Sequence, residues 1–75
     1  MTKEILHEKR IIIGKLIEIL RLKSGFTQSD LAEKVGIKQN TILRIEQGKF
    51  SPNTDLFFLI FDCLDAPIII NGVKI

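Results

Sequence analysis

Apolar residues recur along this chain at spacings of three and four, the period of helices that bury one face. The first such segment predicts a helix over about residues 9–24, which Gly25 ends as a left-handed cap. The pattern leaves open whether residues 3–8 extend this helix. Its predicted buried stripe is Ile13, Leu16, Ile17 and Leu20, and a further apolar stripe holds Ile11, Ile12, Ile19 and Leu22.

The segment TQSDLAEKVG predicts a second helix. The Thr27 hydroxyl is suited to accept from the amide of Asp30, whose carboxylate can accept from the Thr27 amide in return. Gly36 then permits a turn with positive φ. The residues expected to face inward are Leu31, Ala32 and Val35.

A third helix is predicted over residues 38–47, closed by Gly48, and it has two chemically different sides. Ile42 and Ile45 lie on one side with Glu46. The opposite side carries Gln39, Asn40, Leu43, Arg44 and Gln47. Solvated helix faces are usually rich in Lys and Glu, whereas amides and a guanidinium can each form two hydrogen bonds with a flat partner.

The fourth predicted helix begins at Asn53 or Thr54 and continues to about Leu64. Its apolar arc is wider than a small monomer can cover. The arc consists of a core stripe of Phe57, Ile60, Phe61 and Leu64, which Phe58 extends, and a second stripe of Leu56, Leu59 and Cys63. Asn71-Gly72 and the β-branched residues around it predict a β-hairpin or a single strand at the end of the chain.

The length of 75 residues limits the chain to one domain. Its single cysteine, Cys63, excludes an intrachain disulfide framework and a cysteine-based zinc site, and it is expected to be a buried, inert thiol. We find no signal peptide, and charges interrupt every apolar run before the ~18 residues that a membrane helix needs. These features predict a cytoplasmic protein that does not enter a membrane.

The net charge of +2 is small, but the charges are segregated. Residues 38–49 hold Lys38, Arg44 and Lys49 against Glu46 alone, whereas residues 53–65 hold three aspartates and no cation. A basic side and an acidic side orient a molecule toward a polyanion.

Residues 27–49, TQSDLAEKVGIKQNTILRIEQGK, resemble the helix-turn-helix of the Xre and phage repressor/Cro family, and the resemblance extends from about Arg10 to Leu64. It implies an all-α fold, a compact four-helix repressor-type domain with a short C-terminal β-strand or hairpin. We therefore divide the chain into an N-terminal extension (1–8), a DNA-binding domain (9–65) and a C-terminal β segment (66–75) that we expect to mediate dimerisation. The markers of the resemblance are Thr27-Gln28, Leu31-Ala32, Val35-Gly36, Ile42, Ile45-Glu46 and Gly48-Lys49.

In such a motif the third helix enters the major groove of double-stranded DNA. Amides match the donor and acceptor edge of adenine, and an arginine matches the two acceptors of guanine. The expected base contacts are Gln39, Asn40 and Arg44, which the resemblance also implies. Leu43 either touches a thymine methyl or packs against the neighbouring helix. The resemblance implies a phosphate contact for Gln28, and the other phosphate candidates are Lys38, Thr41, Gln47, Lys49 and Asn53.

Glu46 lies on the inner side of its helix, where an unpaired carboxylate would be costly. The resemblance implies that Arg21 on the first helix pairs with it. We expect a largely buried ion pair with a structural role.

The excess of apolar surface on the first and fourth helices favours a homodimer over a tightly wound monomer, and the resemblance implies that this dimer binds a palindromic site. The C-terminal segment is similar to that of HipB-like antitoxins, which implies pairing of the tails between subunits. The expected interface residues are Leu56, Leu59, Cys63, Ile68 and Ile70.

The sequence thus predicts a DNA-binding transcriptional repressor associated with the nucleoid. The alternative is an antitoxin that holds a toxin protein and regulates its own operon. We see no nucleophile–base pair, metal-ligand set or phosphate loop, so we expect no enzyme, metal or cofactor. His7 has no second histidine to act with and is expected to be a solvated helix residue.

Overall fold

Four helices followed by one short hairpin make up the fold. The computed structural model describes residues 2–75. The helices are α1 (Lys3–Lys23), α2 (Gln28–Val35), α3 (Gln39–Glu46) and α4 (Thr54–Cys63), and the strands are β1 (Ile69–Ile70) and β2 (Val73–Lys74). The predicted four-helix domain with a short C-terminal β element is confirmed.

Helix α1 begins earlier than the pattern of its core stripe indicates. The Thr2 hydroxyl caps it by accepting from the Ile5 amide at 3.2 Å, so residues 3–8 form its first turns. Met1, the remaining residue of the predicted extension, lies outside the described residues.

One member of the predicted core stripe of α1 is wrong. Leu16 is 44% exposed, whereas Ile17 is fully buried. The buried arc of α1 is centred on Gly14, Ile17 and Arg21, because α1 packs against α3 through Gly14. Leu16 precedes Ile17 by about 100° of helical rotation and therefore turns away from the core.

Local capping fixes α2 as the sequence indicates. The Thr27 hydroxyl accepts from the Asp30 amide at 3.0 Å, and the Asp30 carboxylate accepts from the Thr27 amide at 2.9 Å. Gly36 ends the helix at φ 77°, a left-handed conformation that costs glycine little. At the start of α4 the Asn53 side chain accepts from the Leu56 amide at 2.8 Å, which decides between the two predicted caps.

All four helices contribute to one hydrophobic core. Phe57 is half-buried at its edge, where its ring lies 4.7 Å from that of Phe61. Phe58 and Leu59, by contrast, are exposed on the outer side of α4, so the apolar arc of this helix is indeed only partly covered. The core consists of Ile17, Leu31, Ala32, Ile42, Ile45, Ile60, Phe61 and Leu64.

The C-terminal segment is a hairpin within one chain. Its strands are antiparallel, with Ile69 opposite Lys74 and Ile70 opposite Val73. The turn residues Asn71 and Gly72 have φ values of 50° and 80°, as a tight hairpin turn requires. Both strands are exposed, so they contribute little to the core of this chain.

Within residues 2–75, every helix is too short or too polar to span a lipid bilayer.

Candidate nucleic-acid interface

Helix α3 separates its apolar and hydrogen-bonding side chains onto opposite sides. Ile42 is 0% exposed and Ile45 is 1% exposed, and both belong to the core. The three predicted base-contacting residues, Gln39, Asn40 and Arg44, are all exposed. They follow one another by one and four positions, so they share one side of the helix. The structure therefore leaves this side free for a partner.

The turn between α2 and α3 sets the angle between these two helices. Gly36 adopts its left-handed conformation here, and the amide of Ile37 donates to the Ala32 carbonyl at 2.9 Å. Leu31 and Ala32 pack in the core beneath this turn. The short turn and the packed helices hold α3 in a defined orientation.

An ion pair anchors the C-terminal end of α3 to α1. The Arg21 Nε donates to Glu46 Oε2 at 2.7 Å, and Nη2 donates to Oε1 at 3.1 Å. The side chain of Arg21 is 9% exposed and that of Glu46 is 2% exposed. The hydrogen bond to Glu46 raises the pKa of Arg21 above its ordinary value, although burial opposes this shift. The pair is the one that the resemblance implied.

Two further groups complete this anchor. The Arg21 Nη1 donates to the Phe26 carbonyl at 2.8 Å. The Gln28 Nε2 donates to Glu46 Oε1 at 3.1 Å, which leaves the second proton of this amide nitrogen available to a phosphate. Gln28 is half-buried and stands at the start of α2, and the phosphate contact of its side chain and backbone amide stays a prediction.

The other predicted phosphate contacts lie around α3. Lys38 precedes the helix and is exposed, as are Gln47 and Lys49 after it. Thr41 is half-buried. The side-chain oxygen of Asn53 caps α4, which leaves its amide nitrogen available to a phosphate oxygen. The structure thus places cations at both ends of the exposed side of α3.

Sequence reasoning missed Phe50. The Arg44 guanidinium lies 5.8 Å from the centre of the Phe50 ring, within the range of a cation–π contact. The Lys49 amide also donates to the Arg44 carbonyl at 2.8 Å, which fixes the chain between them. Phe50 therefore restricts the rotamers of an arginine on the exposed side. An aromatic residue shortly after the helix-ending Gly48 was the available signal.

The predicted dimer-interface residues divide into two groups. Leu56, Cys63 and Ile68 are half-buried and pack against the core of their own chain. Leu59 and Ile70 are exposed, at 54% and 59%. Leu59 belongs to an open groove of about 680 Å³ between α4 and the hairpin. The groove combines an apolar lining of Phe58, Leu59, Ile68 and Ile75 with the carboxylates Asp55, Asp62 and Asp65 and the cation Lys74.

Among residues 2–75, no three His, Cys, Asp or Glu side chains cluster closely enough to hold a metal ion. Cys63 is unpaired and half-buried.

Comparison with known protein families identifies the family to which this fold and its exposed α3 belong. The Helix-turn-helix family matches residues 17–70, which include α2, the turn and α3. The chain belongs to this helix-turn-helix family. The resemblance to Xre and phage repressor/Cro proteins that the sequence predicted is therefore confirmed.

Relatives of this helix-turn-helix protein occur in archaea and bacteria. It is 40% identical over 52 residues to an uncharacterised HTH-type transcriptional regulator of Archaeoglobus fulgidus, covering 69% of this chain and 74% of that one. It is 32% identical over 62 residues to the antitoxin HipB of Escherichia coli K12, covering 83% of this chain and 70% of the antitoxin.

A solved structure shares the fold. The clp gene regulator ClgR of Corynebacterium glutamicum superposes with a TM-score of 0.74 at 23% identity, over 76% of this chain. The helix-turn-helix protein spans 61% of the ClgR chain, so the likeness concerns the fold of that part alone.

Proposed function

We propose that this helix-turn-helix protein is a sequence-specific regulator of transcription that binds double-stranded DNA as a homodimer. One observation carries the proposal. Gln39, Asn40 and Arg44 are exposed together on one side of α3, while the opposite side is locked into the core. Amides and a guanidinium aligned on one exposed side offer paired hydrogen-bonding groups to a flat partner, which a merely solvated side does not need.

The chemistry of this side matches the edges of base pairs. An amide offers a donor and an acceptor, which fit N6 and N7 of adenine, and a guanidinium offers two donors, which fit O6 and N7 of guanine. Gln39 and Asn40 open α3, the end that enters the major groove in this motif. Arg44 lies one turn later, where the Phe50 ring steadies its guanidinium.

Phosphate contacts then set the position of α3 on the duplex. Lys38 and Lys49 bracket the helix, and both side chains extend into solvent. We assign the backbone amide of Gln28 to a phosphate as well, since amides at the start of a helix favour anions. Supporting contacts come from Thr41, Gln47 and Asn53. These groups contribute affinity without sequence preference.

A second copy of the chain supplies the rest of the recognition surface. The outer side of α4 and the hairpin strands expose apolar residues that a solvated surface does not need, including Leu59 and Ile70. Residues 66–75 act as the dimerisation element, because contact across them covers this surface and brings two α3 helices onto one duplex. Two half-sites about one helical turn apart would form a palindrome.

Selection of bound duplexes from a random pool tests this proposal. A palindromic consensus is expected, with two equal half-sites. An enriched pool without any shared sequence would contradict sequence-specific binding and leave only general attraction between a basic surface and DNA.

A sequence-specific regulator of this kind acts at the nucleoid, where its operator lies.

An antitoxin role is the second candidate. It is favoured by the 32% identity to HipB over 62 residues and by an outer row on α1 that stays free while α3 binds DNA. This row contains Ile12, Leu16 and Ile19, all of them exposed. Co-expression with the protein encoded beside this chain, followed by gel filtration, distinguishes the two. A stable complex that leaves DNA binding intact supports the antitoxin, and separate elution opposes it.

A further inference from the structure

The first turns of α1 pass over the end of α3 and reach the loop that follows it. Gly14 lies against the carbonyl groups of Ile45 and Glu46. One turn earlier, Ile11 lies against Gly48, where a Cβ would come within 2.8 Å of the Ile11 side chain. The next residue toward the start of α1 is Arg10, so the path of the helix carries this side chain to the loop between α3 and α4.

Arg10 meets that loop at a small cavity of about 80 Å³. Phe50, Ser51 and Pro52 of this loop line the same cavity. The Nε of Arg10 is buried and has no hydrogen-bond partner among the described residues. The stem of the side chain is thus held in place, while the residue as a whole stays half-exposed.

This position adjoins the side of α3 that we assign to DNA. The Phe50 ring lines the cavity of Arg10 and also lies 5.8 Å from the guanidinium of Arg44. Phe50 therefore lies beside both Arg10 and Arg44. Arg10 is placed at the edge of the exposed surface, beyond the C-terminal end of α3.

Arg10 lacks the counter-ion that the other ordered arginine of α1 has. Arg21 donates to Glu46 and to a backbone carbonyl. The ion pairs among residues 2–75 are Arg21–Glu46 and Lys15–Glu18, and neither involves Arg10. A guanidinium without a counter-ion is suited to a phosphate, which accepts from two of its nitrogens at once. Because the Arg10 Nε is buried, the terminal nitrogens Nη1 and Nη2 are the donors that can reach one.

We infer that Arg10 binds a phosphate of the DNA backbone beside the major-groove contact of α3. The inference rests on the proposed function and adds to it a contact from outside the helix-turn-helix, since the family match begins only at residue 17. Arg10 positions the duplex against the loop of residues 50–52. It carries no sequence preference, because phosphates are alike at every step of the duplex.

Titration of the selected duplex at several salt concentrations tests the role of Arg10. The plot of log affinity against log salt for Arg10→Gln should be shallower than that of the wild type by about 0.9, the loss of one phosphate contact. Arg10→Lys keeps the charge and should keep the slope. The order of preference among duplex sequences should be the same for all three proteins.

Lys9→Gln is the matched control, because Lys9 is the exposed neighbour of Arg10 and lies about 100° away around α1. It removes the same charge and should leave the slope unchanged. Melting curves of each variant verify that it is folded at the titration temperature.

Two results would overturn the assignment of Arg10 alone: an Arg10→Gln slope equal to that of the wild type, or an equal decrease for Lys9→Gln. A wild-type chain that binds no duplex would overturn the proposed function as well, so the two failures are distinguishable.

Discussion

The backbone of Glu46 occupies the space that a side chain at Gly14 would need. A Cβ on Gly14 would lie 2.7 Å from the Glu46 carbonyl oxygen, and the carbonyl of Ile45 would be closer still. Both neighbours are backbone atoms of α3, which cannot move aside by changing a rotamer. This contact sets the distance between α1 and the helix that we assign to DNA.

Gly14→Ala should therefore destabilise the fold by about 1–3 kcal/mol, the usual effect of overpacking a tight contact. The sign is informative, because the same change at an exposed helical position would stabilise by roughly 1 kcal/mol through helix propensity. Chemical denaturation measures the free energy of unfolding. Lys9→Ala, on the exposed surface of the same helix, serves as the control and should change it little. An increase in stability for Gly14→Ala would show that α1 and α3 are further apart.

Arg21→Ala should lower the free energy of unfolding by about 3–5 kcal/mol, because it leaves the carboxylate of Glu46 buried without its cation. The exposed pair Lys15–Glu18 provides the comparison. Its nitrogen–oxygen distance is 3.0 Å, but the side chain of Lys15 is 68% exposed. Glu18→Ala should cost only about 0–1 kcal/mol. Thermal melting of both variants checks the contrast, and an unchanged midpoint for Arg21→Ala would rule out a stabilising buried pair.

The capping box of α2 should make the stability of the fold depend on pH, because it includes the Asp30 carboxylate. The pKa of Asp30 lies below its ordinary value, first because the Thr27 backbone amide donates to the carboxylate and then because the Thr27 hydroxyl interacts with it. A lowered folded-state pKa means that the carboxylate stabilises the fold fully above the unfolded pKa of about 3.9. The contribution is lost as the pH falls through the folded-state value.

The difference in melting temperature between the wild type and Asp30→Ala should therefore be largest near neutral pH and shrink toward pH ~3. Glu33→Ala, at an exposed position of the same helix, controls for the loss of a negative charge. A difference that stays constant across this range would mean that the Asp30 carboxylate is not part of the cap.

Base and phosphate contacts should respond differently to substitution. Gln39→Ala should cost about 1–3 kcal/mol of binding free energy on the selected duplex and relax preference at one base position. Lys49→Ala should weaken binding to all duplexes alike. It should also make the plot of log affinity against log salt shallower by about 0.9, the loss of one phosphate contact. Binding titrations against duplexes with single base changes separate the two patterns. If both variants weakened all duplexes equally, Gln39 would not contact a base.

Leu59→Glu should weaken the homodimer that we propose. It places a carboxylate in the groove between α4 and the hairpin, where Asp55, Asp62 and Asp65 already outnumber the one cation, Lys74. Sedimentation at micromolar concentration should show a dimer for the wild type and a shift toward monomer for this variant. Ser29→Glu adds the same charge on α2, away from this groove, and should leave the mass unchanged. A wild type that sediments as a monomer would contradict the dimer directly.

Local signals were sufficient for much of the fold and of the candidate site. The capping box of Thr27 and Asp30, the left-handed Gly36 and the hairpin turn at Asn71 each depend on atoms within a few positions along the chain, so the sequence predicts them directly. The same holds for the two sides of α3. Ile42 and Ile45 are buried and Asn40 and Arg44 are exposed because about half a turn of helical rotation separates the two pairs, whatever they pack against.

Contacts between elements decided the rest. The sequence alone suggested that Leu16 faces the core, but the close approach of α3 to Gly14 selected which arc of α1 is buried. The Gln28 side chain binds Glu46, and Arg10 meets Phe50, because packing brings together residues that are far apart in the chain. Periodicity determines which side chains share a side of a helix; the direction that side faces depends on how the helices fit together.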